Sequence, residues 1–369
     1  RSISFARINS LVWPTMTFVS GLAIAILLWR GGSEVIDGSL RLGQLVQFNT
    51  YLTALAFPMI GLGWSINLFQ QGSASSARIQ EVLTTAPTIA DGALTREGFT
   101  PTHGEVEFRD VTLRYGDGPE VLREVSFTVP AGGWLAIVGA TGSGKTTIVN
   151  LIPRLFDVTG GQVLVDGVDV REIPLDALRR SVGYVPQETF LFSLSLEENV
   201  AFGMATPARD RVDTAARVSQ LAKDLEDFPQ GIETVIGERG VTLSGGQKQR
   251  ASIARAVARD PLILILDDAL SSVDTNTEAA ILRGLHDVMR GRTAITIAHR
   301  VSTIRDADEI LVLDAGRIAE RGTHASLLAE GGLYAAMYRR QLLTEELSDD
   351  DGPDPGAPDP AEAPDGLVD

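Results

Sequence analysis

No cysteine occurs among the 369 residues, which excludes disulfides, thiolate metal sites and cysteine nucleophiles. Histidine is scarce, with four residues; His103, His286 and His324 fit no motif and read as surface or capping residues. Basic charge is in short supply as well. The formal net charge is -16, and residues 344–369 hold ten acidic residues and no basic one, leaving about -6 for everything else. No broad basic face remains, so nucleic acid is not an expected partner.

Two stretches lack charge altogether. Residues 11–29 run for 19 positions without one, with Trp13 and Trp29 at the shoulders. As a helix that length spans a hydrocarbon core, and the tryptophans suit its two interfaces. Residues 42–77 are uncharged over 36 positions. Within them residues 45–69 read as a second membrane helix kinked at Pro58. Its polar members Gln47, Asn49, Thr50, Thr53, Ser65 and Asn67 either line a wet face or pair with neighbouring helices. Residues 30–41, with Gly31, Gly32 and Gly38, read as a short turn between the spans. The chain begins at Arg1 inside a helical pattern, so an N-terminal portion is expected to be missing. Residues 86–102 read as a Gly/Pro/Thr-rich linker. The acidic end, with five prolines, is expected to be a disordered, solubilising tail.

What the chain does contain centres on residues 134–149, WLAIVGATGSGKTTIV. An apolar strand leads into a glycine-rich turn, and Lys-Thr-Thr opens a helix. Gly139, Ala140, Thr141, Gly142, Ser143, Gly144, Lys145 and Thr146 match G-x-x-x-x-G-K-[ST] without a mismatch. Gly139, Gly142 and Gly144 let the backbone curl until successive N–H groups face phosphate oxygens. The following helix, through Thr147, adds its positive N-terminal end. Lys145 is placed to reach the β- and γ-phosphates of ATP, and the Thr146 hydroxyl to take a position on Mg²⁺. Further on, the all-apolar run 262–266 is too short for a helix, reads as a buried parallel strand, and ends in Asp267-Asp268. An aspartate there, beside a phosphate loop, can hold Mg²⁺ through water. Strands at 105–115, 121–129, 162–166, 182–186, 293–298, 309–313 and 317–320 alternate with helices at 175–180 and 275–290, while residues 195–259 are mostly helical. The expected class is an α/β nucleotide-binding domain, a P-loop NTPase core with a helical insertion, preceded by two transmembrane α-helices of an all-α membrane domain.

Leu243-Ser244-Gly245-Gly246-Gln247 lies 98 residues after Lys145 and 20 before Asp267, the spacing of the signature in ATP-binding cassette (ABC) proteins. On these motifs residues 5–342 resemble the C-terminal part of an ABC exporter half-transporter. The resemblance divides the chain into a membrane portion at 1–85, a linker at 86–102, a nucleotide-binding domain at 103–343 and the tail at 344–369. It also implies site roles. Tyr115 stacks on adenine. Gln187, in Val185-Pro186-Gln187, senses Mg²⁺ and touches the membrane domain. Residues 234–240 are similar to a loop that precedes the signature in exporters. Ser271 to Asp274 match the D-loop, and His299 matches the switch histidine that contacts the γ-phosphate. Ser244, Gly245, Gly246 and Gln247 cover a nucleotide held by a second half-transporter. Such a chain is multi-pass in the cell membrane with its ATP domain in the cytoplasm, and it exports a substrate that these motifs do not identify.

One position departs from the family pattern. Hydrolysing members carry glutamate after the Mg²⁺-holding aspartate of this strand, the Walker B position matched by Asp267, and here Asp268 takes that place. The arm is shorter by one methylene, about 1.5 Å, and a misplacement near 1 Å can cost roughly a hundredfold in rate. Asp268 beside an intact signature resembles the slow-site subunit of exporters built from two unlike halves. A homodimeric exporter with Asp268 as working base and a nucleotide-gated regulatory subunit are the alternatives.

Overall fold

The computed structural model describes residues 2–237, 242–298 and 300–350. It divides into two compact units, Arg1–Pro87 and Thr88–Asp369.

The first unit holds two helices, α1 (Ser2–Ile36) and α2 (Leu42–Thr84). Both contain stretches long and apolar enough to cross a membrane, Thr17–Ile36 and Leu42–Thr84. The expected turn at 30–41 is shorter in the structure. Helix α1 runs through Gly31 and Gly32 and stops only where Gly38 turns to φ 73°. The reason lies across the helix pair: a Cβ on Gly31 would sit 2.4 Å from Leu45 Cδ1, so this glycine serves close helix approach rather than chain reversal. Helix α2 also exceeds the expected 45–69, continuing unbroken through Pro58 to Thr84. Several polar groups along it bond within their own helix, Gln47 Nε2 to the Tyr51 hydroxyl at 2.8 Å, Thr53 Oγ1 to the Asn49 carbonyl at 2.9 Å and Gln71 Nε2 to Asn67 Oδ1 at 2.7 Å. Apolar stems of such a helix can face lipid while its hydroxyls and amides stay satisfied.

The second unit opens with a segment free of regular structure that is nonetheless anchored: Asp91 Oδ1 accepts from the Leu175 N–H at 2.9 Å, and Arg96 pairs with Glu172 at 2.5 Å. Then follow β1 (Val106–Arg114), β2 (Glu120–Val129), β3 (Trp134–Gly139), α3 (Lys145–Leu151), β4 (Gly160–Val165), β5 (Val168–Asp169), α4 (Leu175–Ser181) and β6 (Val182–Val185). Four helices come next, α5 (Leu196–Ala201), α6 (Arg209–Val218), α7 (Leu221–Asp224) and α8 (Gly245–Ala258). The order closes with β7 (Ile263–Asp267), α9 (Thr275–Met289), β8 (Thr293–Ile297), β9 (Glu309–Asp314), β10 (Arg317–Gly322), α10 (His324–Glu330) and α11 (Leu333–Asp350).

Two sheets form, an antiparallel one in the order β2-β1-β4-β5 and a larger one in the order β10-β9-β3-β8-β7-β6. In the larger sheet β9, β3, β8, β7 and β6 pair in parallel, and β10 closes the edge antiparallel. Alternation along each strand distributes the core over both faces. Leu135 and Ile137 of β3 join Ile265, Ile295 and Leu311 beneath α3 and the small sheet. From the same strand Ala136 and Val138 join Ile310, Val312, Leu327 and Tyr334 on the opposite face. Leu264 and Leu266 of β7 meet Val212, Ile253 and Ile281 of α6, α8 and α9. Burial on both faces explains why β7 reads as a continuous apolar run.

Helix α11 continues to Asp350, so residues 344–350, expected in a disordered tail, are helical; Glu and Leu are good helix formers. The remainder of that tail lies outside the described residues.

Candidate nucleotide site

The strand order places the chemistry. Central strand β3 ends in the phosphate loop, β8 lies beside it, and β7 comes next, so the carboxyl ends of three parallel strands face one crevice, the usual ligand position in such sheets. Gly139 closes β3 at φ 152°, where a Cβ would lie 2.3 Å from the Leu313 carbonyl oxygen; no larger residue fits. Gly144 caps α3 in the left-handed region at φ 103°, turning the chain so that Lys145 begins the helix.

A cleft of about 260 Å³ is lined by Thr141, Gly142, Gly144, Lys145, Thr146, Thr147, Gln187, Asp267 and Asp268, with Val121 and Ile297 as its apolar walls. Residues separated by up to 176 positions in sequence, Val121 to Ile297, thus share one cavity. Lys145 is buried, and its Nζ donates to the carbonyls of Gly139 at 2.9 Å and Ala140 at 3.0 Å. Burial pulls its pKa below the usual lysine value, and the charges of Asp267 and Asp268 oppose that shift. Thr146 Oγ1 donates to Asp267 Oδ1 at 3.3 Å. Asp267 is 1% exposed. Burial raises its pKa, the hydroxyls of Thr146 and Tyr184 act the other way, and the neighbouring Asp268 charge adds to the rise.

Oxygen donors of this kind suit Mg²⁺. Thr146 supplies a hydroxyl, Asp267 a carboxylate and Gln187 an amide oxygen, all on one cleft. A single strongly placed carboxylate is what an ion completed by waters and phosphates needs. Asp268, half-buried, stands at the end of β7 with φ 48°, a conformation non-glycine residues seldom adopt and one that recurs at functional sites. Its N–H donates to the Ile297 carbonyl at 2.9 Å.

Tyr115 packs edge-on against Phe156 with ring centroids 5.0 Å apart, and its hydroxyl meets Thr147 Oγ1 at 3.2 Å. The residue is 40% exposed next to the phosphate loop. Ser143 is buried beneath the loop and Ala140 turns it, the Ser143 N–H donating to the Ala140 carbonyl at 3.2 Å. The signature residues are not among those lining this cleft. They open α8 instead: Ser244 accepts from the Gln247 N–H at 3.2 Å while Gln247 Oε1 accepts from the Ser244 N–H at 2.9 Å, a capping box that leaves Ser244 and Gly245 exposed. His299 lies outside the described residues, as do Glu238, Arg239 and Gly240 of the loop before the signature.

Sequence reasoning missed Tyr184. Its hydroxyl lies 3.0 Å from Asn150 Oδ1 and 3.3 Å from Asp267 Oδ2, and burial together with the Asp267 charge drives its pKa upward. The signal available was a tyrosine in an otherwise apolar strand three residues before Gln187.

Comparison with known proteins agrees with this geometry. The family described as "ABC transporter" matches residues 122–271. The chain is 42% identical over 344 residues to the "Probable multidrug resistance ABC transporter ATP-binding/permease protein YheI" of Bacillus subtilis, covering 93% of this chain and 58% of that protein. It is 40% identical over 351 residues to the "Multidrug resistance-like ATP-binding protein MdlA" of Escherichia coli, covering 95% and 59%. An "ATP-dependent lipid A-core flippase" of Syntrophus aciditrophicus is 42% identical over 352 residues, with 95% and 58% covered. Among solved structures, a bacterial Atm1-family ABC exporter with ATP bound superposes with a TM-score of 0.71 at 38% identity, over 92% of this chain and 60% of that one. The chain thus spans about three fifths of the length of the relatives it matches.

Proposed function

Since the chain carries an ABC transporter ATPase domain behind two long apolar helices, we propose that it is half of an export pump, pairing with a second, unlike half-transporter and driven by ATP. The observation that supports this best is the division of the motifs. Lys145, Thr146, Gln187, Asp267 and Asp268 share one cleft, while the signature at Ser244–Gln247 opens a different helix away from it. A signature that does not reach its own phosphate loop is free to cover a nucleotide held by another subunit, with the N–H groups of the α8 N-terminus facing phosphate.

In this reading the phosphate loop amides and Lys145 hold the β- and γ-phosphates, and Tyr115 stacks on the base. Thr146, Asp267 and Gln187 would hold Mg²⁺, whose charge would neutralise that of the phosphates. Asp268 orients the attacking water, with His299 at the γ-phosphate. Closure of two such domains around ATP, and their release after hydrolysis, moves the membrane helices between two states. Residues 1–85 belong to the membrane portion, in the cell membrane, and 103–343 to the ATP domain, in the cytoplasm, joined by 86–102.

Asp268 supports the unlike pairing. Its carboxylate is one methylene short, so the site on this chain's own phosphate loop turns over slowly while its intact signature completes a faster site on the partner. The test is affinity purification of the full-length protein from its native membrane, followed by ATPase assay of the chain alone and of the complex. The expected result is a 1:1 complex with an unlike half-transporter, and a lone chain that binds Mg·ATP with little turnover. A symmetric pair of identical copies, each hydrolysing at ordinary speed, would overturn the pairing and favour a homodimeric exporter.

A further inference from the structure

Inside this chain the signature helix is tied to the loop that follows β7. Gln249, 4% exposed on the second turn of α8, spans the gap. Its Oε1 accepts the Ser272 N–H at 2.9 Å, and its Nε2 donates to Ser271 Oγ at 3.0 Å. The backbone donor fixes which end of the amide is oxygen. Ser271 Oγ in turn donates to the carbonyl of Asp268 at 3.1 Å. An unbroken chain of hydrogen bonds therefore runs from α8 to the backbone of the carboxylate beside the phosphate loop.

The helix start itself rests on the same loop. A Cβ added to Gly246 would come 3.0 Å from the Ser272 carbonyl oxygen, and one on Gly245 would lie 3.5 Å from Ser272 Cβ. Signature backbone and loop are thus in direct apposition, and a side chain at Gly246 would crowd the Ser272 carbonyl. The far end of the loop is also fixed, because Asp274 caps α9 by accepting the Thr277 N–H at 2.9 Å. Within this assembly Asp268 is the residue that also lines the nucleotide cleft. Its left-handed backbone is held by the Ile297 carbonyl on its N–H and by Ser271 on its own carbonyl. A residue in such a conformation keeps it only while its surroundings over-determine it. Ser271 meets the Asp268 carbonyl with both its hydroxyl, at 3.1 Å, and its N–H, at 3.4 Å, and is the contact through which the loop bears on Asp268.

We infer that Gln249 is a positioning residue that transmits the state of the signature on α8 to the aim of Asp268 on the same chain. Contact of a nucleotide with Ser244 to Gln247 shifts the start of α8, Gln249 carries the shift to Ser271 and Ser272, and the Asp268 carbonyl follows. This rests on the reading above that the signature covers a nucleotide held by another subunit. It adds a route by which occupancy of that other site tunes this one.

Two variants separate the links. Gln249→Glu keeps an acceptor for the Ser272 N–H but draws the Ser271 hydroxyl proton to itself and away from the Asp268 carbonyl; Gln249→Leu cuts both. In the assembled full-length transporter, hydrogen exchange is followed at residues 243–250 and 268–274 with and without Mg·AMP-PNP. The wild type is expected to slow at both segments together, and both variants to slow at 243–250 only. Phosphate release at this chain's own site, read in complexes whose partner site is inactivated by substitution, should show kcat lowered about tenfold with KM within about twofold, the split that marks lost aim rather than lost binding. Melting temperature reports whether each variant is folded. Coupled protection that persists in Gln249→Leu, or an unchanged kcat in folded Gln249→Glu, would overturn the inference. A wild type that shows no protection at 243–250 would instead overturn signature coverage. A nucleotide-free arm then decides the coupling alone. Ser244→Ala, which frays the start of α8, should speed exchange at 268–274 when Gln249 is present and leave it unchanged in the Gln249→Leu background; equal effects in both would refute the link.

Discussion

Asp267 and Asp268 are adjacent carboxylates held in opposite ways, and their variants should separate accordingly. Asp267 is sealed in, with its pKa raised by burial. An acid whose folded pKa lies above its unfolded value binds more protons folded than unfolded between the two, so its contribution to stability is full below the unfolded pKa and is lost as pH rises through the folded one. At neutral pH the charged group therefore costs the metal-free fold something that Asn would not. Asp267→Asn is expected to melt roughly 2–4 °C higher than wild type at pH 7.5 in the absence of nucleotide and Mg²⁺, with the gap closing below about pH 4. Adding Mg·ATP should raise the melting temperature of the wild type and leave that of the variant nearly unmoved. Calorimetry over a pH series checks both signs. Asp268 is half-buried and open to the cleft. Restoring the missing methylene by Asp268→Glu should raise phosphate release from this chain's own site about ten- to a hundredfold, with ATP affinity unchanged.

Elements divide into those whose position follows from local rules and those set by distant partners. The phosphate loop was legible because its glycines answer a local demand, the left-handed turn at Gly144 and the close approach to Leu313 at Gly139. Strand β7 was legible because burial on both faces leaves no polar position until Asp267. Limits of the strands read from the sequence came within one or two residues. Gly31 and Gly32 misled because the same residue type serves turns and helix contacts, and only Leu45 on the second helix distinguishes them. Tyr184 and Gln249 were invisible: their partners lie 83 and 22 residues away, and no spacing rule announces a contact of that kind. The signature helix offers a check on the local rules. Ser244 closes a capping box at the start of α8, so Ser244→Ala should cost about 1 kcal/mol. Denaturant melts of the full chain in detergent would register it as a lowered midpoint with an unchanged slope.

At the scale of the whole molecule the two units follow different solvents. In the first, Trp29, Phe57, Trp64 and Phe69 are 71–83% exposed, and α1 and α2 between them present apolar side chains over far more surface than a water-soluble protein leaves uncovered. In the second, the largest apolar residues close three clusters around two sheets, and the junction at Pro87 separates the units. Stability of the second unit therefore does not draw on the apolar helices for its core. A polypeptide of residues 88–350 is expected to be soluble without detergent, to melt cooperatively, and to bind Mg·ATP with the affinity it has in the full chain, because every residue lining the nucleotide cleft lies within it. The full chain should need detergent or lipid throughout. Its turnover should respond to the lipid environment, whereas that of residues 88–350 should not, since only the full chain carries helices long and apolar enough to cross a bilayer. Equal ATP affinity measured by titration calorimetry, together with lipid response confined to the full chain, would place ATP binding in residues 88–350 and the lipid response in the residues before them. A truncated chain that aggregates or fails to bind would show that the apolar helices contribute to the ATP fold itself.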